Sequence, residues 1–473
     1  MRNALVGLAI AAVLSGCAVG PTYRTPADPV KGPLVGAELV ASVDGPVDIR
    51  WWRRFGDETL TRLVSQALSS NKDLVAADAR LRAARALRRA QFADFLPVIT
   101  GRASGTSQRQ SQSLLSSPVG APVQRDSDLY DAGFDASWEL DLFGRTRRLN
   151  QAAKAESGAA QASRDGVLLS VAAEVARNYF ELRGAQEQLD MAHRNIETQN
   201  HVLDLVRARE DAGRGSALDT ARADAQVATT ESTLPTLEAT ASRAMRRIEV
   251  LTGVVPGTLE KDLSAAAPLP SLPQELALGD AASLLRRRPD VRVAERTLAA
   301  DTARVGVAVS DLFPRVSVNA GLGLSSMRLD TLGDAGSDRR SLGASLSWNV
   351  FDLVHLSQRL KAAGAQADAR LADYEQTVLT ALEETENALT DYGRERQRLA
   401  QLERAAKSSL LASDLATQRF ETGVSDFLTA LDAYRSAIEA DAQFAASRTR
   451  AATLLVAVFK SLGGGWEPDA PRR

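Results

Sequence analysis

The side chains of this 473-residue chain that could do chemistry are spaced for almost none of it. His193 and His201 stand eight residues apart in a helical stretch, so a metal would need a third ligand from elsewhere. Glu383, Glu384 and Glu386 lie in a long proline-free run and read as charged positions of one helix, not as a paired acid and base. Gly321-Leu-Gly323 resembles a phosphate loop only until its surroundings are read: an alternating strand, with no helix opening after it. Arg286-Arg-Arg288 precedes Pro289-Asp290 and is too short for nucleic acid, and a net charge of −2 adds no bulk attraction. Neither a hydrolase elbow nor a P-loop occurs. The expectation is therefore no enzyme, no metal, no soluble cofactor and no nucleic-acid partner. One patterned face remains. After Gly423, the residues Leu428, Asp432 and Arg435 recur at i, i+4 and i+7, on one side of a helix.

The one thiol has its own context. Cys17 follows Leu14-Ser15-Gly16, at the end of an apolar stretch from Ala4 with Arg2 ahead of it. That is a secretory signal, 1–16, too short to span a bilayer. The small residues before Cys17 resemble a bacterial lipobox, in which cleavage leaves the cysteine as an acylated N-terminus. A plain signal peptide with an unmodified cysteine is the alternative. No second cysteine exists for Cys17 to pair with. Ala18, not aspartate, follows it, which favours the outer over the inner membrane.

The elements that must hold the Gly423 turn are long helices and short strands. Leu60, Leu63, Val64, Ala67 and Leu68 have helical spacing, and a second helix runs from Asn71 to Asp94. Val98, Thr100 and Arg102 begin an alternating segment. Tyr130, Ala132, Phe134, Ala136, Trp138, Leu140 and Leu142 then alternate strictly with acidic or small residues, over the length a tilted membrane strand needs. A helix over 144–211, ~100 Å long at ~1.5 Å per residue, and a return helix over 216–252 follow, with Pro235 expected to kink the return without ending it. A proline-rich connector, 254–289, carries one short helix near Ala281.

The chain then repeats. Phe95-Leu-Pro97 returns as Leu312-Phe-Pro314, 217 residues on, while Trp138, Gly213, Leu218 and Gly253 return as Trp348, Gly423, Leu428 and Gly463, 210 on. The first repeat is 71–253 with its strand hairpin at 97–142. The second is 290–463, with a hairpin at 315–351, a long helix at 352–421 and a return helix at 425–462, before a tail at 464–473. In each half the leading and returning helices together match the long one, so they can stack end to end beside it. Four strands cannot close a barrel in lipid, so geometry prefers an oligomer, with two copies giving about eight strands and three giving twelve.

Taken together, Cys17-Ala-Val-Gly-Pro21-Thr-Tyr23, Trp51-Trp52, Trp138-Glu-Leu-Asp-Leu-Phe-Gly144, Leu285-Arg-Arg-Arg-Pro-Asp290 and the Gly423 turn resemble the TolC-like outer-membrane efflux proteins, in their lipoprotein branch. The resemblance spans nearly the whole chain. It implies a homotrimer, mainly α-helical, with a twelve-stranded outer-membrane β-barrel on a periplasmic α-helical barrel, 17–70 and the connector forming an equatorial belt. It also implies a passive exit duct for drugs or other small toxic compounds, working with a periplasmic adaptor and an inner-membrane pump of the RND type. A type I protein secretion duct is the nearer alternative, and a periplasmic helical scaffold the farther one. Residue by residue, Leu428 and Asp432 fall at the periplasmic constriction, with Arg435 tethering its closed state. Gly213, Arg214, Gly215 and Ser216, with Gly423, Val424 and Ser425, fall at the adaptor-docking tips. A solvated helix face, and glycines that merely turn the chain, are the plainer alternatives. Phe351-Asp-Leu-Val-His355 departs from the pattern, which often has glycine soon after the Phe, and implies a different strand-to-helix bend.

Overall fold

A computed structural model describes residues 18–27, 34–43, 45, 48–111, 125–278 and 281–464. The signal segment, Cys17 and the tail from residue 465 lie outside the described residues. Two compact units divide the chain. One holds Arg82–Ala159 and Ala294–Tyr374 with the N-terminal stretch to Thr25; the other holds Pro26–Leu81, Ala160–Val293 and Glu375–Arg473.

In the first unit, β2 (Val98–Arg109), β3 (Asp126–Leu140), β5 (Arg315–Ser326) and β6 (Asp338–Ser347) form one antiparallel sheet in the order β2-β3-β5-β6. Directly paired residues share a face. Ala136↔Ala320↔Leu342 and Leu140↔Val316↔Leu346 therefore line one side with Phe134 and Trp138, and Ser137↔Asn319↔Gly343 the other with Ser345, Asp131, Asp135 and Glu139. Ser137 donates to Asn319 Oδ1 at 3.0 Å, and Asn319 donates to Ser345 Oγ at 3.2 Å, a polar rung across three strands. The apolar side stays open: Phe134, Leu322, Leu342 and Leu346 are all at least 60% exposed.

On β2 the phase is the reverse of the one that its first residue suggests. Val98, Thr100 and Arg102 pair with Ser137, Asp135 and Gly133 on the polar side, while Ile99 joins Ala136 on the apolar one. Two adjacent apolar residues leave the phase open, and the neighbouring strand decides it.

The repeat is visible in the bonds. Trp138 donates its indole N–H to the carbonyl of Phe95 at 3.0 Å, and Trp348 donates to that of Leu312 at 3.1 Å, the matching position of the second half. The two bends out of the sheet differ. Gly144, at φ +83°, turns the first strand into α3 (Arg145–Asp211); a single 3-10 turn, Val350–Asp352, leads into α9 (Leu353–Glu421) without any positive φ. This is the altered bend expected near Phe351. A Cβ on Gly144 would lie 2.6 Å from the Cα of Ala18. The N-terminal segment is seated there: Val19 N–H donates to Phe143, Arg148 donates to the carbonyls of Val19 and Gly20, and Tyr23 donates to Glu295 at 2.7 Å.

In the second unit a core of stacked aromatics surrounds Trp51, which lies parallel to Phe459 at 5.1 Å, with Phe55 against Phe180. Asp57 caps α1 (Glu58–Ser70) by accepting from Leu60 N–H, and its other oxygen accepts from the Tyr179 hydroxyl. The connector holds more than the one short helix expected. Besides α7 (Ala281–Arg287) it carries α6 (Glu260–Leu263) and β4 (Leu276–Ala277), which pairs in parallel with β1 (Ser42–Val43).

End-to-end stacking holds in both halves. Asn71, at the start of α2 (Lys72–Ala93), donates to the carbonyl of Leu251 at the end of α5 (Leu234–Leu251). Arg288, before α8 (Pro289–Ser310), donates to Ser461 at the end of α10 (Phe427–Ser461). The first return is not one helix, however: α4 (Ala217–Glu231) stops and α5 begins at Leu234, with Ser232 and Thr233 between them. Pro235 lacks the N–H and crowds the preceding turn, so the ladder is interrupted, not merely bent.

Gly253 and Gly257 both have positive φ, but only Gly253 faces an obstacle, Ser70 O at 2.5 Å from a built Cβ. Gly257→Ala is expected to lower stability by about 1 kcal/mol through backbone strain alone. Gly253→Ala is expected to lower it clearly further by parting the stacked helix ends. Thermal unfolding of the detergent-solubilised protein, followed by circular dichroism, compares the two.

Candidate functional site at the hairpin tips

Each tip is a helix end closed by glycine. At the first, Gly213 (φ +69°) donates to Glu210 O and Arg214 to Arg209 O; at the second, Gly423 (φ +77°) donates to Phe420 O and Val424 to Arg419 O. These paired bonds satisfy the last carbonyls of α3 and α9, and they need the left-handed residue that glycine supplies. Ser216 then caps α4, accepting from Asp219 N–H and donating its own hydroxyl to the Asp219 carboxylate. At the second tip Asp426 caps α10 through its side chain. Its hydrogen bonds from Thr429 hold its carboxyl below the usual carboxylate range. Ser425 Oγ is buried with no partner. No heavy atom lies within 4 Å of a built Cβ at Gly213 or Gly423, and Val424 is exposed, so the tip backbone is accessible.

The two tips are joined by packing that reaches across the repeat. Leu203 and Val206 of α3, Ala223 and Val227 of α4, Phe420 of α9 and Phe427, Ala430 and Leu431 of α10 make one buried cluster. Arg209 closes it. Its guanidinium carbon sits 4.0 Å over the Phe420 ring, and it donates to the carbonyls of Phe420 and Glu421 at 3.1 and 3.2 Å. A cation at the carboxyl end of α9 is favoured by the ring and by the helix dipole together. Sequence reasoning missed Arg209, because its partners lie 211 and 212 residues away.

Leu428, Asp432 and Arg435 share the exposed side of α10, away from the buried Phe427, Ala430, Leu431 and Ala437. Among the described residues neither Asp432 nor Arg435 has an ion-pair partner within the chain. Arg435 instead borders a hollow of about 470 Å³ with Gln188, Asn195 and Glu439, beside the α4–α5 interruption. No helix among the described residues is long and apolar enough to cross a membrane.

Comparison with known proteins matches the two halves in turn: residues 63–254 and 281–464 fit the family described as outer membrane efflux protein. The outer membrane protein OprJ of Pseudomonas aeruginosa is 33% identical, over 97% of this chain and 95% of its own. The toluene efflux pump outer membrane protein TtgF of Pseudomonas putida is 30% identical, over 99% and 98%. Among solved structures, the outer-membrane channel OprN superposes with a TM-score of 0.90 at 44% identity, covering 96% of this chain and all of that one. The open state of the Neisseria gonorrhoeae channel MtrE gives 0.84 at 26%, covering 95% and 98%.

Because Arg209 reaches from α3 to the last carbonyls of α9, Arg209→Ala is expected to raise amide hydrogen exchange at 418–424 by about tenfold, with residues 253–264 unchanged. Arg209→Lys, which keeps the charge but loses the fork, is expected to fall between. Equal exchange in all three proteins would remove Arg209 from the tip.

Proposed function

This chain belongs to the outer membrane efflux protein family, and we propose that three copies of it form the passive exit duct of a tripartite pump for small toxic organic compounds. The two-faced sheet carries this reading. β2 and β6 each pair on one side only, so each leaves a row of backbone N–H and C=O groups open. In lipid such an edge must be paired, and a second copy's edge is the matching partner. Eight strands would fill their interior with side chains; twelve leave a water-filled lumen, lined here by the side that bears Arg102, Asp131, Asp135 and Glu139. The opposite side, with Phe134, Leu322, Leu342 and Leu346, faces acyl chains.

Energy for export comes from an inner-membrane pump of the RND type, reached through a periplasmic adaptor that docks on the tips. The docking stretches are Gly213, Arg214, Gly215 and Ser216, and Gly423, Val424 and Ser425; the open space over Gly213 and Gly423 suits close approach by a helical hairpin. Leu428 and Asp432 set an apolar ring beside an acidic ring where three copies of α10 converge. The carboxylates repel one another and draw cations to the mouth. Arg435, without an ion-pair partner among the described residues, tethers the closed mouth to a neighbouring copy. Cys17 carries the lipid anchor in the outer membrane, and the seating of Ala18 on Gly144 supports a lipid entering beside the strand ends. Relatives about equally similar are named for toluene efflux and for pyoverdine export, so the cargo is set at the level of a broad small-molecule class.

Two measurements test this. In planar bilayers Leu428→Ser and Asp432→Ala are each expected to raise single-channel conductance severalfold, and Asp432→Ala also to weaken cation preference; unchanged conductance in both sinks the gate. By mass spectrometry the mature protein is expected to begin at Cys17 with attached acyl chains, and Cys17→Ala to lose them while still forming detergent-resistant trimers.

A further inference from the structure

Just behind the tips, α3, α4, α9 and α10 enclose a hollow of about 200 Å³. Its walls are mostly apolar, with Val202, Leu205, Phe420, Phe427 and Leu431 among them, and exposed Thr198 and His201 lie at its border. Gln226, Thr417, Glu421 and Tyr434 also border it, and one polar side chain of the lining stands apart. Gln199 is only 4% exposed, and its Oε1 is buried with no hydrogen-bond partner. The orientation of that amide follows from its neighbour. Thr230 uses its single hydroxyl proton on the carbonyl of Gln226 at 3.2 Å, so toward Gln199 its Oγ1 can only accept. In this arrangement Gln199 offers Nε2 to Thr230 at 2.8 Å, and Oε1 is left over as an acceptor.

A space of this size suits one aromatic ring, since an apolar cavity of about 150 Å³ takes up benzene. The free acceptor adds a requirement: the occupant must carry a donor at one end. We propose that this hollow is a binding site for a single-ring aromatic alcohol, a phenol, whose ring packs against Phe420, Phe427 and Leu431 and whose hydroxyl donates to Gln199 Oε1. Because Phe420 ends one hairpin arm and Phe427 begins the other, and Val202 belongs to the first repeat, the bound ring touches both repeats at once. An occupied site holds the two tips together and opposes their separation. Binding itself does not depend on the chain's role in export, so its failure leaves that reading untouched.

The test uses the full-length protein in lipid nanodiscs, with empty nanodiscs as the blank for partitioning. 4-Bromophenol is expected to bind about tenfold more tightly than 4-bromoanisole, which has the same ring and no donor. Gln199→Leu is expected to erase that preference, and Val202→Phe, which fills the hollow, to weaken both ligands. In crystals soaked with 4-bromophenol the bromine's anomalous signal is expected beside Phe427. Equal affinity of the two ligands for the unaltered protein overturns the proposal, as does a preference that survives Gln199→Leu. Bromine located elsewhere, or binding at crystal concentration only, overturns it too.

Discussion

A peptide group in hydrocarbon has no water to turn to, and that single constraint shapes the whole chain. The four strands satisfy one another internally but leave β2 and β6 each with an open side. A soluble protein would blunt such edges with charge or proline. Here the charges of β6, Asp338, Arg339 and Arg340, are gathered at its first three positions, and beyond them Leu342, Ala344 and Leu346 lie on one side with Ser341, Gly343, Ser345 and Ser347 opposite, a surface fit for lipid on one side and water on the other. The sheet is complete as chemistry only when repeated.

The duplication solves a length problem. One helix of 67 residues and another of 69 reach about 100 Å each, and every reach must be matched by a return. The returns are assembled from two pieces whose ends meet, with Asn71 on Leu251 and Arg288 on Ser461. Side chains of different chemistry make the same kind of join in the two halves.

Most of this framework was legible in the residues, because it rests on local signals. Strand alternation around Trp138, the absence of proline through the long helices and glycine at the helix ends each follow from a few neighbouring positions. What stayed hidden depends on distant partners. The phase of β2 could not be read from Val98-Ile99, since both are apolar and only β3 chooses between them. Pairing of Ser42 with Leu276 leaves no mark in two-residue strands. The reach of Arg209 over Phe420 looks, in sequence, like any other arginine in the last turn of a helix. Pro235 was visible, but whether it bends or severs a helix is decided by how the flanking turns pack.

The seat of Ala18 on Gly144 has a mechanical meaning. Gly144 stands where strand gives way to helix, and no side chain larger than hydrogen would leave room for the backbone that crosses it. Whatever is attached one residue upstream is thus delivered where strand passes into helix. With the proposed lipid on Cys17, two independent gauges would set how deep the molecule rides, the height of its apolar band and the length of its tether. A barrel that slipped inward or outward would then have to drag its own mooring with it.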